Sequence, residues 1–176
     1  MMKKRIPAGR NHQHGVFLLE ALIAVLIFAM GILGIVALGA TAIAAQNDAQ
    51  YRTEAANYAS EIVGRMWVAV DRTNDTTFTN SLAAFSHQPT GDPATCAFSG
   101  TASADAGVTD WVGRVTTISA TNKGLPGATD AGGVTNRQQI VVNTAPTGLH
   151  QVSVTICWQT PKDAVARRHT YVAFIN

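Results

Sequence analysis

The hydrophobic pattern divides this chain into three regions. After the single acid Glu20, the run Ala21 to Ala40 is almost wholly apolar, and about 20 such residues suffice to cross a bilayer as a helix. Apolar residues then recur at intervals of three and four: Ala55, Ala59, Ile62, Val63, Met66, Trp67 and Val70. This spacing predicts an amphipathic helix whose polar face carries Arg52, Glu54, Asn57, Glu61 and Arg65, with Glu61 and Arg65 at the favourable separation of four. No proline interrupts Val16 to Val70. A single helix of about 55 residues, near 80 Å long, is therefore expected through both regions, with membrane supporting one half and a folded domain the other.

The third region has other periods. Thr73 to about Thr109 is rich in Thr, Ser, Ala, Asn, Asp, Gly and Pro without sustained apolar periodicity, and reads as a long loop with at most short structured pieces. From Asp110 the pattern is ambiguous, since Trp111, Val115 and Ile118 fit a helical face whereas the β-branched stretch Val115 to Ile118 favours a strand. A turn at Leu125 to Gly127 and the glycines Gly132 and Gly133 end this connection. Strands are expected at Gln138 to Asn143, His150 to Gln159 and His169 to Ile175. In the middle one, Val152, Val154, Ile156 and Trp158 alternate with Gln151, Ser153, Thr155 and Cys157. Its apolar face needs a cover, which Ile62, Met66 and Trp67 of the long helix can supply. The expected fold class is α+β, a helix lying across a small antiparallel sheet.

Charge orients the apolar run. Lys3, Lys4, Arg5 and Arg10 precede it, and the first charges beyond it are Asp48 and Arg52, so the amino terminus should stay cytoplasmic and the remainder face outward. The run is longer than that of an ordinary secretory signal, although Ala42-Ile43-Ala44 offers a small-x-small cleavage site. Neither removal of the whole run nor a plain anchor explains Glu20, because an ionised carboxylate costs roughly 3 kcal/mol at the centre of a span and usually has a partner. The plainer alternative is a carboxylate snorkelling at the membrane edge.

A basic leader, a glycine, apolar residues, a glutamate and then a full-length apolar run resemble the class III signal of type IV prepilins and type II secretion pseudopilins. The resemblance implies cleavage between Gly15 and Val16 by a prepilin peptidase, methylation of Val16 by the same peptidase/methyltransferase, and an assembly role for Glu20. That family usually starts its mature chain with Phe followed by Thr or Ser; Val16 and Phe17 stand here, which weakens the expectation of methylation more than that of cleavage. The runs EALIAVLIFAMGILGIVAL and QNDAQYRTEAANYASEIVGRM, with CAF, DW, GLPG and VTICW further on, are similar to PilV-type minor pilins of the type IV pilus. The similarity implies a type IV pilin-like fold and a division into a leader over 1–15, a membrane and filament-core helix over 16–45, its amphipathic continuation over 46–72 and a head over 73–176. It favours helix after Asp110. It also implies partners, namely other major and minor pilins and the assembly platform of the inner membrane, and a role in pilus assembly, adhesion and twitching motility. Before assembly the chain would cross the bacterial inner membrane once with its head in the periplasm; afterwards it would sit in the pilus fibre or at its tip. A minor pseudopilin of type II secretion and a solitary membrane-anchored binding protein are the alternatives. Gly31, Gly34 and Gly39 fit either close helix packing or a stretch that loosens on leaving lipid.

Composition adds constraints. Of 176 residues 47% are hydrophobic and only 14% charged, but the span inflates the first figure, so the head is less apolar than the average. Loss of the four leader cations takes the formal charge from +2 to −2, which argues against nucleic acid as a partner. Arg167 and Arg168 remain as a local basic pair, expected to be solvated. Cys96 and Cys157 are the only cysteines. On the outer, oxidising side such a pair commonly bridges, closing a loop of about 60 residues for roughly 4 kcal/mol in the entropy model; the alternative is two free thiols in the core. His12 and His14 resemble a small metal cluster but fall within the 1–15 leader expected to be lost, while His87, His150 and His169 are scattered and expected at the surface or at edges. No HExxH, CxxC, GxSxG or GxxxxGKS pattern occurs, so no enzyme, cofactor or metal is expected.

Overall fold

The computed structural model describes residues 14–129, 137–144 and 150–176. The leader cations, His12 and the Gly132-Gly133 pair lie outside the described residues. The chain forms two compact units, residues 1–47 and 48–176. Helix α1, His14–Ala69, contributes to both.

In the second unit α1 buries Ala55, Tyr58, Ala59, Ile62, Val63 and Met66, and Val70 just past its end is buried with them. Trp67, expected in this stripe, is 43% exposed. One residue beyond Met66 the helix has turned roughly 100°, which carries the indole off the core face to where the Arg72 guanidinium lies 5.6 Å from its ring centroid. Tyr58, at the opposite margin of the stripe, is buried.

The stretch expected to be a long loop is more structured than its composition implies. Helix α2, Asp75–Ala83, opens with a capping box in which the Thr77 N–H donates to Asn74 Oδ1 at 2.9 Å and the Asn74 N–H donates to Thr77 Oγ1 at 3.2 Å. Phe78 and Leu82, one turn apart, anchor it in the core. Strands β1, Thr90–Asp92, and β2, Ala97–Ser99, form an antiparallel hairpin. Two buried side chains over nine residues are too few to register as periodicity, so packing rather than local pattern specifies α2.

Helix α3, Ala106–Thr116, resolves the ambiguity after Asp110 in favour of helix. Its N-cap is Asp105, whose Oδ1 accepts from the N–H groups of Gly107 and Val108 at 2.8 and 3.0 Å. Val108, Trp111, Val112 and Val115 are buried, and the Trp111 indole N–H donates to the Tyr58 carbonyl at 2.9 Å. Ile118, expected on the same face, lies beyond the helix end and is 64% exposed. The Leu125-Pro126-Gly127 turn is present. Gly127 has φ +57°, and a Cβ there would run into the Gln159 carbonyl.

Strands β3, Gln138–Asn143, β4, His150–Trp158, and β5, Arg167–Ile175, make a three-stranded antiparallel sheet in the order β3-β4-β5. Val152, Val154, Ile156 and Trp158 are fully buried, in one cluster with α1, α2 and α3. Across β4, Cys157 joins Cys96 and Phe98 in a second cluster. The Cys96–Cys157 disulfide, with Cα atoms 6.0 Å apart, ties the β1-β2 hairpin to the sheet face opposite α1. Cys96 holds φ +57°, a left-handed conformation that costs a non-glycine residue about 1–2 kcal/mol.

His87 fixes the free edge of β3. Its N–H donates to the Ile140 carbonyl at 3.0 Å and its carbonyl accepts from the Ile140 N–H at 2.9 Å. The side chain, 3% exposed, accepts at Nδ1 from the Ser103 N–H at 3.2 Å, so the ring is held neutral with its proton on Nε2. Burial pushes its pKa below the usual histidine value.

A depressed histidine pKa contributes stability that is complete above the unfolded value, near 6.5, and is lost as pH falls through the folded one. The urea midpoint should therefore drop between pH 7.5 and 5, with a slope of at most about 1.4 kcal/mol per pH unit from this group, and His87→Gln should flatten that dependence. Reduction of Cys96–Cys157 should lower stability by about 2–4 kcal/mol, measured by denaturation with and without reductant, and the unreduced chain should offer no thiol to an alkylating reagent.

Candidate membrane-spanning and assembly segment

Every residue from Val16 to Asn47 is exposed, including Phe17, Leu22, Leu26, Phe28, Leu33, Ile35 and Leu38. No Pro, Asp or Asn occurs from Val16 to Gln46 to break the helix. Fully burying each large apolar side chain is worth about 1.5–3 kcal/mol, and a contiguous exposed surface of this kind marks a lipid or protein interface. This is one helix long and apolar enough to cross a membrane. At Gly31, Gly34 and Gly39 nothing lies within 4 Å of where a Cβ would stand. Within this unit those positions are shallow notches open to an approaching helix.

Gly15 and Val16 are the second and third residues of α1, near an end where helices fray. Glu20 follows Val16 by one turn and is exposed on the helix surface. No ion pair among the described residues involves it.

The head brings together charges that were not grouped from the sequence. Glu61 and Arg65 do form the expected pair at 3.0 Å, yet their face is not a solvated one. Arg114 of α3 grips Glu61 with both terminal nitrogens, at 2.9 and 2.5 Å. Asp110 closes the network, 3.2 Å from Arg114 and 3.4 Å from Arg65. The hydrogen-bonded Arg114 guanidinium, against an opposing effect of burial, holds the Glu61 carboxyl below its usual range, and Glu61 in turn raises Arg114. Burial, with Glu54 next, pushes the Tyr58 hydroxyl upward, the nearby Arg114 opposing it. Each charge in this seam has an opposite partner, so the cluster locks α3 onto α1 rather than presenting a reactive group. Asp110 and Arg114, four apart in the segment where helix was favoured, were the available signal.

Arg167 is not solvated as expected. It binds Asp163 through Nε and Nη2 at 3.0 and 2.8 Å and Asp48 through Nη1 at 2.5 Å. Its hydrogen bonds lead the causes that lower Asp163, and Asp163 raises Arg167. Arg168 stays exposed, with one contact of 3.4 Å to the Pro93 carbonyl. Of the histidines placed at the surface or at edges, His87 is instead a core residue, while His150 packs on Phe78 with ring centroids 4.7 Å apart. Among the described residues no three His, Cys, Asp or Glu side chains are placed to hold a metal ion.

No family model, curated protein or solved structure matches the chain. Its class rests on its own architecture: an α+β protein with small antiparallel sheets and a long apolar amino-terminal helix.

Glu61 and Arg114 are each about one-third exposed, so solvent screening reduces the worth of their pairing. A double-mutant cycle with Glu61→Gln and Arg114→Gln should give a coupling of about 1 kcal/mol that shrinks in high salt. The same pair adds stability above the unfolded glutamate pKa and loses it as pH falls through the lowered folded one.

Proposed function

We propose that this chain is a minor pilin of the type IV pilus, inserted in the inner membrane by α1, cut after Gly15 by the prepilin peptidase and then drawn into the fibre. The observation that carries this reading is Glu20, a carboxylate five residues beyond Gly15 on a helix exposed throughout residues 16–47, in no ion pair among the described residues. Cleavage would make Val16 an amino terminus, and the positive charge there, on a neighbouring subunit, is the partner we assign to Glu20. Opposite charges about 4 Å apart attract by several kcal/mol at moderate effective dielectric, and much of that offsets their desolvation. The pair therefore acts chiefly on register: a subunit entering out of step leaves both charges unpaired in an apolar core.

Two further features support the reading. The notches at Gly31 and Gly34 lie within about 40° of Glu20 around the helix, so the face carrying the acid also lets another helix approach closely. The second part of α1 packs against an antiparallel sheet, the arrangement the pilin resemblance implies for a displayed head. Major and minor pilins, the peptidase/methyltransferase and the inner-membrane assembly platform are the partners.

Amino-terminal mass spectrometry on cells with and without the peptidase tests processing. Val16 should be the first residue only where the enzyme is present, and a chain that keeps its leader in both strains sinks the proposal. For the acid, Glu20→Ala should be processed normally but recovered in sheared fibres at least tenfold less often, whereas unchanged recovery would eliminate the register role. Loss of twitching on deletion, with secreted enzymes unaffected, distinguishes a pilus from an export filament.

A further inference from the structure

The two edges of the main sheet differ. The free edge of β3 is closed by His87, which exchanges both backbone hydrogen bonds with Ile140, and by the Gln139 side chain, whose Nε2 donates to the Gln88 and Thr90 carbonyls at 3.2 Å. The free edge of β5 is open. β5 pairs with β4 through nine consecutive residues without a bulge, and among the described residues no other segment forms a backbone hydrogen bond with Arg167–Ile175. Among the described residues β5 has no proline, no bulge and no segment hydrogen-bonded along its free edge; the charges that can guard such an edge, Arg167 and Arg168, stand at one end, and Thr170 to Ile175 carries none.

The side chains along this edge are suited to a visitor. Val172 and Phe174, opposite Ser153 and Gln151, are 48% and 49% exposed on the sheet face away from α1, and Tyr171 is 38% exposed on the other. Arg168 lies at the opposite end of the strand on the same face as Val172 and Phe174, exposed and, among the described residues, without a carboxylate partner.

We propose that β5 is a docking edge for an extended segment of another polypeptide, which adds a fourth strand by main-chain hydrogen bonding and carries an acidic residue opposite Arg168 with apolar residues opposite Val172 and Phe174. Charge selects this occupant over a second copy of the chain. β5 contains two arginines and no acid, so pairing with itself leaves Arg168 without a carboxylate, whereas an acidic strand supplies one. Main-chain bonds give such a site affinity, and the Arg168 end gives it direction and selectivity. This assignment concerns the head alone and holds for a fibre subunit and for a solitary anchored protein alike.

The test uses the full chain in detergent micelles and a labelled, end-blocked nine-residue peptide that alternates valine and threonine, with one glutamate positioned to meet Arg168 in antiparallel register. Anisotropy should rise saturably above a micelle-only control. Replacing the peptide's glutamate by lysine, or introducing Val172→Lys or Phe174→Lys, should weaken binding at least tenfold, and Arg168→Glu should make the lysine peptide the tighter ligand. Retention of the Cys96–Cys157 bond and of the wild-type urea midpoint checks that each variant is folded. Absence of saturable binding, or equal binding of both peptides to the wild type, would overturn the proposal. So would a concentration-dependent dimer formed without peptide and abolished by Val172→Lys, which would give the edge to a second copy.

Discussion

β4 shares hydrogen bonds along both edges, six residues with β3 and nine with β5, and near its Trp158 end it is excluded from water on both faces. A strand in that position must be apolar on one side and find a separate cover for the other. The α1 stripe and Trp111 meet Val152, Val154, Ile156 and Trp158, while the disulfide-linked hairpin covers Cys157. Every other element of the head is placed by one of these two contacts. Helix α3 is held because Trp111 sits in the first cluster and donates to the α1 backbone. The β1-β2 hairpin, too short to be stable alone, is held by its covalent link to the second.

The amino-terminal unit has the opposite character. Its helix is satisfied along its own backbone but not along its sides, since each large apolar residue from Val16 to Ile43 remains exposed. Such a surface marks a lipid or protein interface. The head's charges behave differently. Glu61, Arg65, Asp110 and Arg114 satisfy one another within the chain, as do Asp48, Asp163 and Arg167, whereas Glu20 and Arg168 are among the described charges in no ion pair.

Legibility followed the length of each pattern. The apolar run, the α1 stripe and the alternation of β4 extend over many residues, and strands at 138–143, 150–158 and 167–175 lie within two residues of where alternation placed them. Helix α2 announces itself by an N-cap and two apolar residues, which is below what periodicity can detect. Trp67 and Ile118 went astray for a related reason: each sits at the margin of a helical face, where one further residue of rotation or one residue past the C-cap decides between core and solvent.

From its residues alone, this protein had a settled division into apolar helix and α+β head, two cysteines able to pair and an acid in a place that demands explanation, since period and composition are local properties of the chain. The tertiary structure decided which polar groups face one another: Arg114 on Glu61, Arg167 on Asp48, His87 buried against Ser103, and one sheet edge closed while the other stays open. Those pairings join residues tens to more than a hundred positions apart. No local pattern encodes them, because the distance between two side chains distant in sequence is set only when the core between them has packed.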